Sequence, residues 1–279
     1  MQIPIREYAE RMSDSRFFLF IISVVIGIIL FNFFIGIPKV GIISIDTPFL
    51  SEKTKDDTVK MLRYTGDDPS IQAVVINLNS PGGEAAKVEE IYLEILKLKA
   101  KKPVVVSIDT NALSGGYYVA SAANYIYVKP TSEIGNIGVI STLPKPWKPD
   151  SAQITTGPFK VTGESQKNNA AQVETVKQGF LMAVISQRGD KLQVDSERLS
   201  SAEIFLGVDG VRYGLADDLG TGSDAIQKAA KIAGIANYDT VDVNKAMNIT
   251  FNGKYLGLAG INESTTPTNY FIYAELEEL

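Results

Sequence analysis

Ser114 lies in Ser114-Gly115-Gly116-Tyr117-Tyr118, after a β-branched run and a short turn and before a helical run. A hydroxyl there faces the free N–H groups at a helix start, where the macrodipole favours negative charge. Such a serine can be a nucleophile whose oxyanion is held by backbone donors; losing one donor typically costs about 10²–10³ in rate. It can equally be an N-cap, the reading a lone Ser-Gly-Gly favours. A second glycine turn, Ser80-Pro81-Gly82-Gly83, sits between strand and helix one β-α unit earlier. Adjacent parallel strands would carry both turns to one sheet edge, where α/β active sites collect. Glycine lets a backbone N–H approach a ligand with no side chain between them.

The chain contains no histidine and no cysteine. Ser-His-Asp triads, Cys-His pairs, thiolate nucleophiles and His- or Cys-ligated metal sites are therefore excluded, and any metal would take oxygen ligands. A hydrolytic serine would need Lys, Asp, Glu or a terminal amine as its base. Lysine serves only when neutral, so its ordinary value near 10.4 must fall by about 3 units, which burial can supply. Lys160, in Gly157-Pro158-Phe159-Lys160-Val161, has two apolar neighbours. Lys101 and Lys102 read as a solvated turn, and Lys167 lies between polar neighbours. On context alone Lys160 is as much a surface residue as a base. A net charge of -5 gives no general attraction to nucleic acid, which is not an expected partner.

The elements that would position these residues alternate. Strands are read at Val40–Ile45, Ala73–Leu78, Val104–Ile108, Ile126–Val128 and Ile137–Ile140. Helices are read around Asp57–Arg63 and over Glu84–Lys99, Tyr117–Ala123, Ala171–Arg188 and Ser223–Ala233. In Glu84–Lys99, Val88, Ile91, Tyr92, Ile95 and Leu96 share one face. Alternating strands and helices predict an α/β fold with a largely parallel sheet. From Tyr238 to Asn262 no clean period is seen, and the acidic tail Ala274–Leu279 reads as a frayed helical end. Asn248-Ile249-Thr250 and Asn262-Glu263-Ser264 fit the glycosylation pattern.

Phe17–Ile37 carries no charge and is long enough, at about 1.5 Å per residue, to span a bilayer core of roughly 30 Å. It predicts one transmembrane helix. Arg6, Arg11 and Arg16 precede it and Lys39 alone follows closely, which places the N-terminus in the cytoplasm and the catalytic domain outside the cell membrane. The expected divisions are residues 1–16 cytoplasmic, 17–37 transmembrane, 38–235 the α/β domain that carries Ser114 and Lys160, and 236–279 a C-terminal extension without an assigned role.

Asn79-Ser80-Pro81-Gly82-Gly83, Ser114-Gly115-Gly116-Tyr117-Tyr118 and Ile134-Gly135-Asn136-Ile137-Gly138-Val139 together resemble the motifs of the signal peptide peptidase A family. The resemblance covers roughly Val40–Ala233, and Gly214-Leu215-Ala216-Asp217 is also similar to the family pattern. It implies a membrane-bound Ser-Lys protease on a ClpP/crotonase-like fold, a repeated β-β-α core behind one N-terminal transmembrane helix. It makes Ser114 the nucleophile and Lys160 the dyad base, with N–H groups around Gly82, Gly83 and Gly115 as the oxyanion hole. Asn136 stands where the family usually has Ser, a position that resembles one orienting the lysine. The implied substrates are peptides or unfolded protein, remnant signal peptides among them, and no cofactor is implied. A single copy of the domain is similar to the short family form, a homo-oligomeric ring that can build each site across neighbouring protomers. A catalytically silent membrane scaffold and a crotonase-type acyl-CoA enzyme are the alternatives.

Overall fold

The computed structural model describes residues 16–27, 36–141, 154, 156–157, 159–160, 163, 165–251 and 269–272. Helix α1 covers residues 16–27, and its apolar side chains are exposed, Phe17 at 66% and Phe20 at 64%. Among the described residues no helix is long and apolar enough to cross a membrane. The remainder of the predicted span falls outside them, apart from Gly36 and Ile37, which are not helical.

The chain then alternates as expected. Strand β1 (Lys39–Asp46) leads to α2 (Glu52–Asp67), and β2 (Ile71–Ser80) leads through the short β3 (Gly82–Glu84) to α3 (Ala85–Lys99). Strand β4 (Val104–Leu113) feeds α4 (Gly115–Ser121), followed by β5 (Tyr125–Val128), β6 (Glu133–Gly135) and β7 (Ile140–Ser141). The long α5 (Gln166–Arg188), short α6 (Ser196–Leu199), β8 (Ile204–Leu206) and α7 (Gly207–Arg212) come next. Then follow β9 (Asp218–Leu219), α8 (Gly222–Ala233), β10 (Asp239–Asp242), α9 (Val243–Ala246) and β11 (Asn269–Ile272).

The main sheet runs β10-β1-β2-β4-β5-β9, every adjacent pair parallel. Strand β6 extends the far end of β4 in parallel and carries β8 antiparallel to it. The fold is α/β with a parallel-dominated sheet. Apolar residues on both faces of the central strands explain why they read as continuous runs. Val74, Ile76 and Leu78 pack in a core with Val88, Ile91 and Tyr117. Ala73, Val75 and Val105 face the other way, against Ala225 and Ala229 of α8. That helix begins where the Thr221 N–H bonds the Asp224 carboxylate at 2.8 Å and ends at Gly234, φ 71°.

Two departures have local causes. The strand expected over Ile137–Ile140 is displaced: β6 lies earlier, residues 136–139 are irregular, and β7 starts only at Ile140. Positive φ at Gly135 (102°) and Asn136 (54°) turns the chain there, which an apolar pattern does not reveal. Past residue 235, β10 pairs with β1, and Asn244 exchanges hydrogen bonds with the Ser44 backbone at 2.7 and 2.9 Å. The sheet thus continues into the stretch without a readable period. The tail Ala274–Leu279 lies outside the described residues.

A second, small sheet has the order β3-β11-β7, antiparallel throughout.

Candidate active site

Ser114 is the residue between β4 and α4, with φ 48° and ψ -117°. A non-glycine residue with positive φ is strained by roughly 1–3 kcal/mol and persists only where its surroundings hold it. They do so from two sides. Its backbone N–H donates to the Gly135 carbonyl at 2.8 Å, and its Oγ lies 3.5 Å from the Gly138 carbonyl. On the other side Gly116 is pressed against the end of β2: a Cβ there would sit 2.2 Å from the Ser80 carbonyl oxygen. Ser114 itself is 1% exposed.

The three glycine-rich motifs meet at this point. Ser80 pairs with Ala112 and Leu113 with Gly135, so the ends of β2, β4 and β6 are laid side by side. Asn79 ties them further: its side-chain oxygen accepts from the Asn111 N–H at 3.2 Å, and its amide donates to Asp46 at 2.8 Å. Gly83 approaches Leu50 so closely that a Cβ would lie 2.3 Å from the Leu50 carbonyl oxygen. Gly82, φ 118°, has its N–H turned to the Ser80 hydroxyl at 3.2 Å, and its carbonyl accepts from Leu50. Gly115 opens α4, where N–H groups have no intrahelical partner.

Other predicted residues lie differently. The Asn136 amide donates to the Ala202 carbonyl at 2.9 Å, and its own N–H to Glu203 O at 2.8 Å. Lys160 is exposed, in a turn. Among the described residues nothing joins it to Ser114, whose Oγ has the Gly138 carbonyl as its neighbour. Lys167 is exposed on the first turn of α5. Lys102 is not solvated as expected: its ammonium donates to the Thr65 and Asp68 carbonyls, both at 2.6 Å, and burial lowers it from the ordinary lysine value. It stands before β4, however, at the opposite end of that strand from Ser114. At about 3.3 Å per residue that is some 30 Å away.

Sequence reasoning missed what holds α4 from behind. Tyr118 stacks on Tyr92 at 4.7 Å and tilts against Phe180 at 4.8 Å, joining α4 to α3 and α5. Tyr117, fully buried, donates its hydroxyl to the Leu215 carbonyl at 2.9 Å, and burial pushes that phenol well above its ordinary value. Behind Leu215, Arg188 and Asp217 form a buried ion pair at 2.9 Å, 1% and 6% exposed. Arg188 also bonds Gly214 O, and Asp217 also takes Lys191 and the Ile126 N–H. Burial alone would raise the Asp217 carboxyl; the Arg188 guanidinium, Lys191 and that N–H outweigh it and hold it below the ordinary range.

Residues 96–146, which include Ser114 and Asn136, match the model of Peptidase family S49. Protease 4 of Salmonella typhi is 32% identical over 192 residues, 64% of this chain and 31% of that protein. In this part the chain is similar to the S49 peptidases. Protease 4 of Haemophilus influenzae is 30% identical over 216 residues, 70% of this chain and 35% of its own length. An Enterococcus faecium protein provisionally named signal peptide peptidase SppA is 26% identical over 184 residues, 61% of this chain and 54% of that protein. The chain therefore spans about a third of the length of these two Protease 4 relatives. Its resemblance to the signal peptide peptidase A family stands on the motifs and on these S49 likenesses together.

Proposed function

We propose that this chain is a membrane-anchored endopeptidase acting through a Ser114–Lys160 dyad and an acyl-enzyme. The observation that carries the reading is Ser114 itself. A strained serine opening a helix, with a glycine strand on one side and the Gly135–Gly138 segment on the other, suits a nucleophile; an N-cap needs no positive φ. No side-chain capping bond is made by Ser114.

In this mechanism Ser114 Oγ attacks the scissile carbonyl carbon while the neutral Lys160 Nζ takes the hydroxyl proton. The oxyanion is held by the N–H groups of Gly83 and Gly115. The Gly82 N–H, turned to Ser80 Oγ, shapes the turn. Collapse breaks the C–N bond, the lysine returns the proton to the leaving amine, and water cleaves the acyl-serine by the same route. Lys160 is exposed in one chain, so the dyad closes when a neighbouring copy brings its lysine to Ser114, within a homo-oligomer. Desolvation at that contact would supply the neutral amine. Asn136, bonded to Ala202, then acts by shaping the wall behind the serine.

The exposed apolar side chains of α1 support an anchor over residues 17–37, with the ClpP/crotonase-like domain outside the membrane. Signal-peptide remnants and unfolded segments near the membrane are the substrate class. The test is peptidase activity on fluorogenic peptides and denatured protein, with wild type, Ser114→Ala and Lys160→Ala compared across pH. The dyad predicts loss in both variants, at least about 10³-fold, and a wild-type rate that rises with pH. Full activity in Ser114→Ala would end the proposal, and loss in Ser114→Ala alone would move the base to another lysine.

A further inference from the structure

The face of the main sheet that packs on α8 changes character along its strands. Near their starts it is apolar, with Val40, Ala73, Val75 and Val105 against Ala225 and Ala229. Further along, the same alternation puts Ser44, Asn77 and Ser107 on that face, side by side. Ser44 pairs with Asn77, and Asn77 with Ser107. A cleft of about 450 Å³ opens over this row, bounded by Lys129 and by Thr221 and Gly222 where α8 begins. Gly222 leaves room for Asn77, whose amide oxygen would stand 3.3 Å from a Cβ there. Ser114 is elsewhere: it opens α4, which packs on the opposite face through Tyr117, with Val74 and Ile76.

The row consists of polar groups without partners. Ser107 is only 5% exposed, yet its hydroxyl makes no hydrogen bond among the described residues; neither do the Ser44 hydroxyl and the Asn77 amide. Buried polar groups in native proteins are nearly always paired, so such a row marks a place that receives its hydrogen bonds from outside the chain. The charges around it are already matched. Lys129 is paired with Asp109, the start of α8 with the Asp224 carboxylate at 2.8 Å, and Asp46 takes the Asn79 amide at 2.8 Å. An anion entering the cleft would meet Asp46 and Asp109, and a polycation would meet Lys129. An apolar ligand would find only Leu78, whose side chain lies in the core on the other face. What remains is a neutral molecule rich in hydroxyl groups, which donate and accept as serine hydroxyls and the asparagine amide do. Strands lie about 4.8 Å apart, so the three floor groups repeat at a spacing close to that of alternate hydroxyls on a pyranose ring.

We propose that this cleft binds a small neutral carbohydrate, a mono- or disaccharide. Its hydroxyls pair with Ser44, Asn77 and Ser107 on the floor and with the Asp46 carboxylate at the rim. The volume falls within the roughly 300–1,000 Å³ usual for small-molecule sites, and the C-terminal ends of parallel strands are where α/β sheets take ligands. The inference rests on the cleft alone and stands apart from the peptidase reading.

The test is titration calorimetry of the full-length chain in a detergent without a sugar headgroup. The probes are glucose, galactose, mannose, N-acetylglucosamine, cellobiose and lactose. At least one should bind with a millimolar or tighter dissociation constant. Ser107→Ala deletes a hydroxyl that has no partner in the chain, so it should leave Tm unchanged and weaken that sugar about five- to tenfold. Asn77→Leu keeps the bulk, removes both hydrogen-bonding groups and should weaken it more; should that variant not fold, Ser107→Ala still decides. Ser114→Ala should bind the sugar as wild type does. Inorganic phosphate and spermidine should bind at least about tenfold more weakly than the best sugar. No binding by any of the six sugars would overturn the proposal, as would sugar binding that the cleft variants leave unchanged. Tighter binding of phosphate or of spermidine would assign the cleft to an anion or a polycation and overturn it too.

Discussion

Gly116 and Ser80 meet backbone to backbone: a Cβ on Gly116 would stand 2.2 Å from the Ser80 carbonyl oxygen. This approach brings the first turn of α4, and Ser114 with it, against the chain entering Gly82-Gly83. Two motifs more than thirty residues apart thereby become one site.

Gly116→Ala should therefore fail at the site before it fails elsewhere. The methyl group meets backbone, which yields less readily than a side-chain end, and the strain should cost about 1–3 kcal/mol. Peptidase kcat/KM should fall by about 10² or more, since displacements near 1 Å misplace a nucleophile. Thermal unfolding and steady-state kinetics on the same preparation separate the two effects.

Asp217→Asn leaves Arg188 buried without its counter-charge and should destabilise the chain by about 3–5 kcal/mol. The Asp217 carboxyl is held below its ordinary value of 3.8 in the folded chain. Its contribution is therefore complete above that value and is lost as pH falls through the lower, folded value. Denaturant unfolding of wild type and Asp217→Asn should show a constant gap from pH 7 to about 5, narrowing only in stronger acid.

Tyr117→Phe removes the hydroxyl that bonds the Leu215 carbonyl and leaves that acceptor without its partner. A loss of about 1–3 kcal/mol is expected, with little change in KM, because the ring still fills its site. Urea unfolding and peptide kinetics check both halves of this expectation.

Asn136→Ala removes the amide donor to Ala202 and puts a less tolerant residue at φ 54°. Stability should fall by about 1–3 kcal/mol and kcat should fall with it, as the wall behind Ser114 loosens. If Asn136 instead orients a base, kcat would drop and the pH-rate profile would shift while stability held, so the two measurements assign its role.

Much of the fold was legible because its signals are local. Central strands such as Ile71–Ser80 are covered on both faces and so read as apolar runs, while α3 shows its buried stripe at helical spacing. The glycine motifs marked places where a chain must turn or approach closely, and with histidine and cysteine absent they confined the chemistry to serine and an unconventional base. The sequence alone could not reveal β10 or β11. Each is a four-residue strand whose pattern carries no period, and partners far along the chain, β1 for one and β3 with β7 for the other, make them strands. Nor could it show Asn136 spent on Ala202, or Arg188 paired with Asp217 across 29 positions. Residue type and spacing determined which groups are able to react. Hydrogen bonds and burial between distant segments, which leave no periodic trace in one chain, decided which of them meet at Ser114.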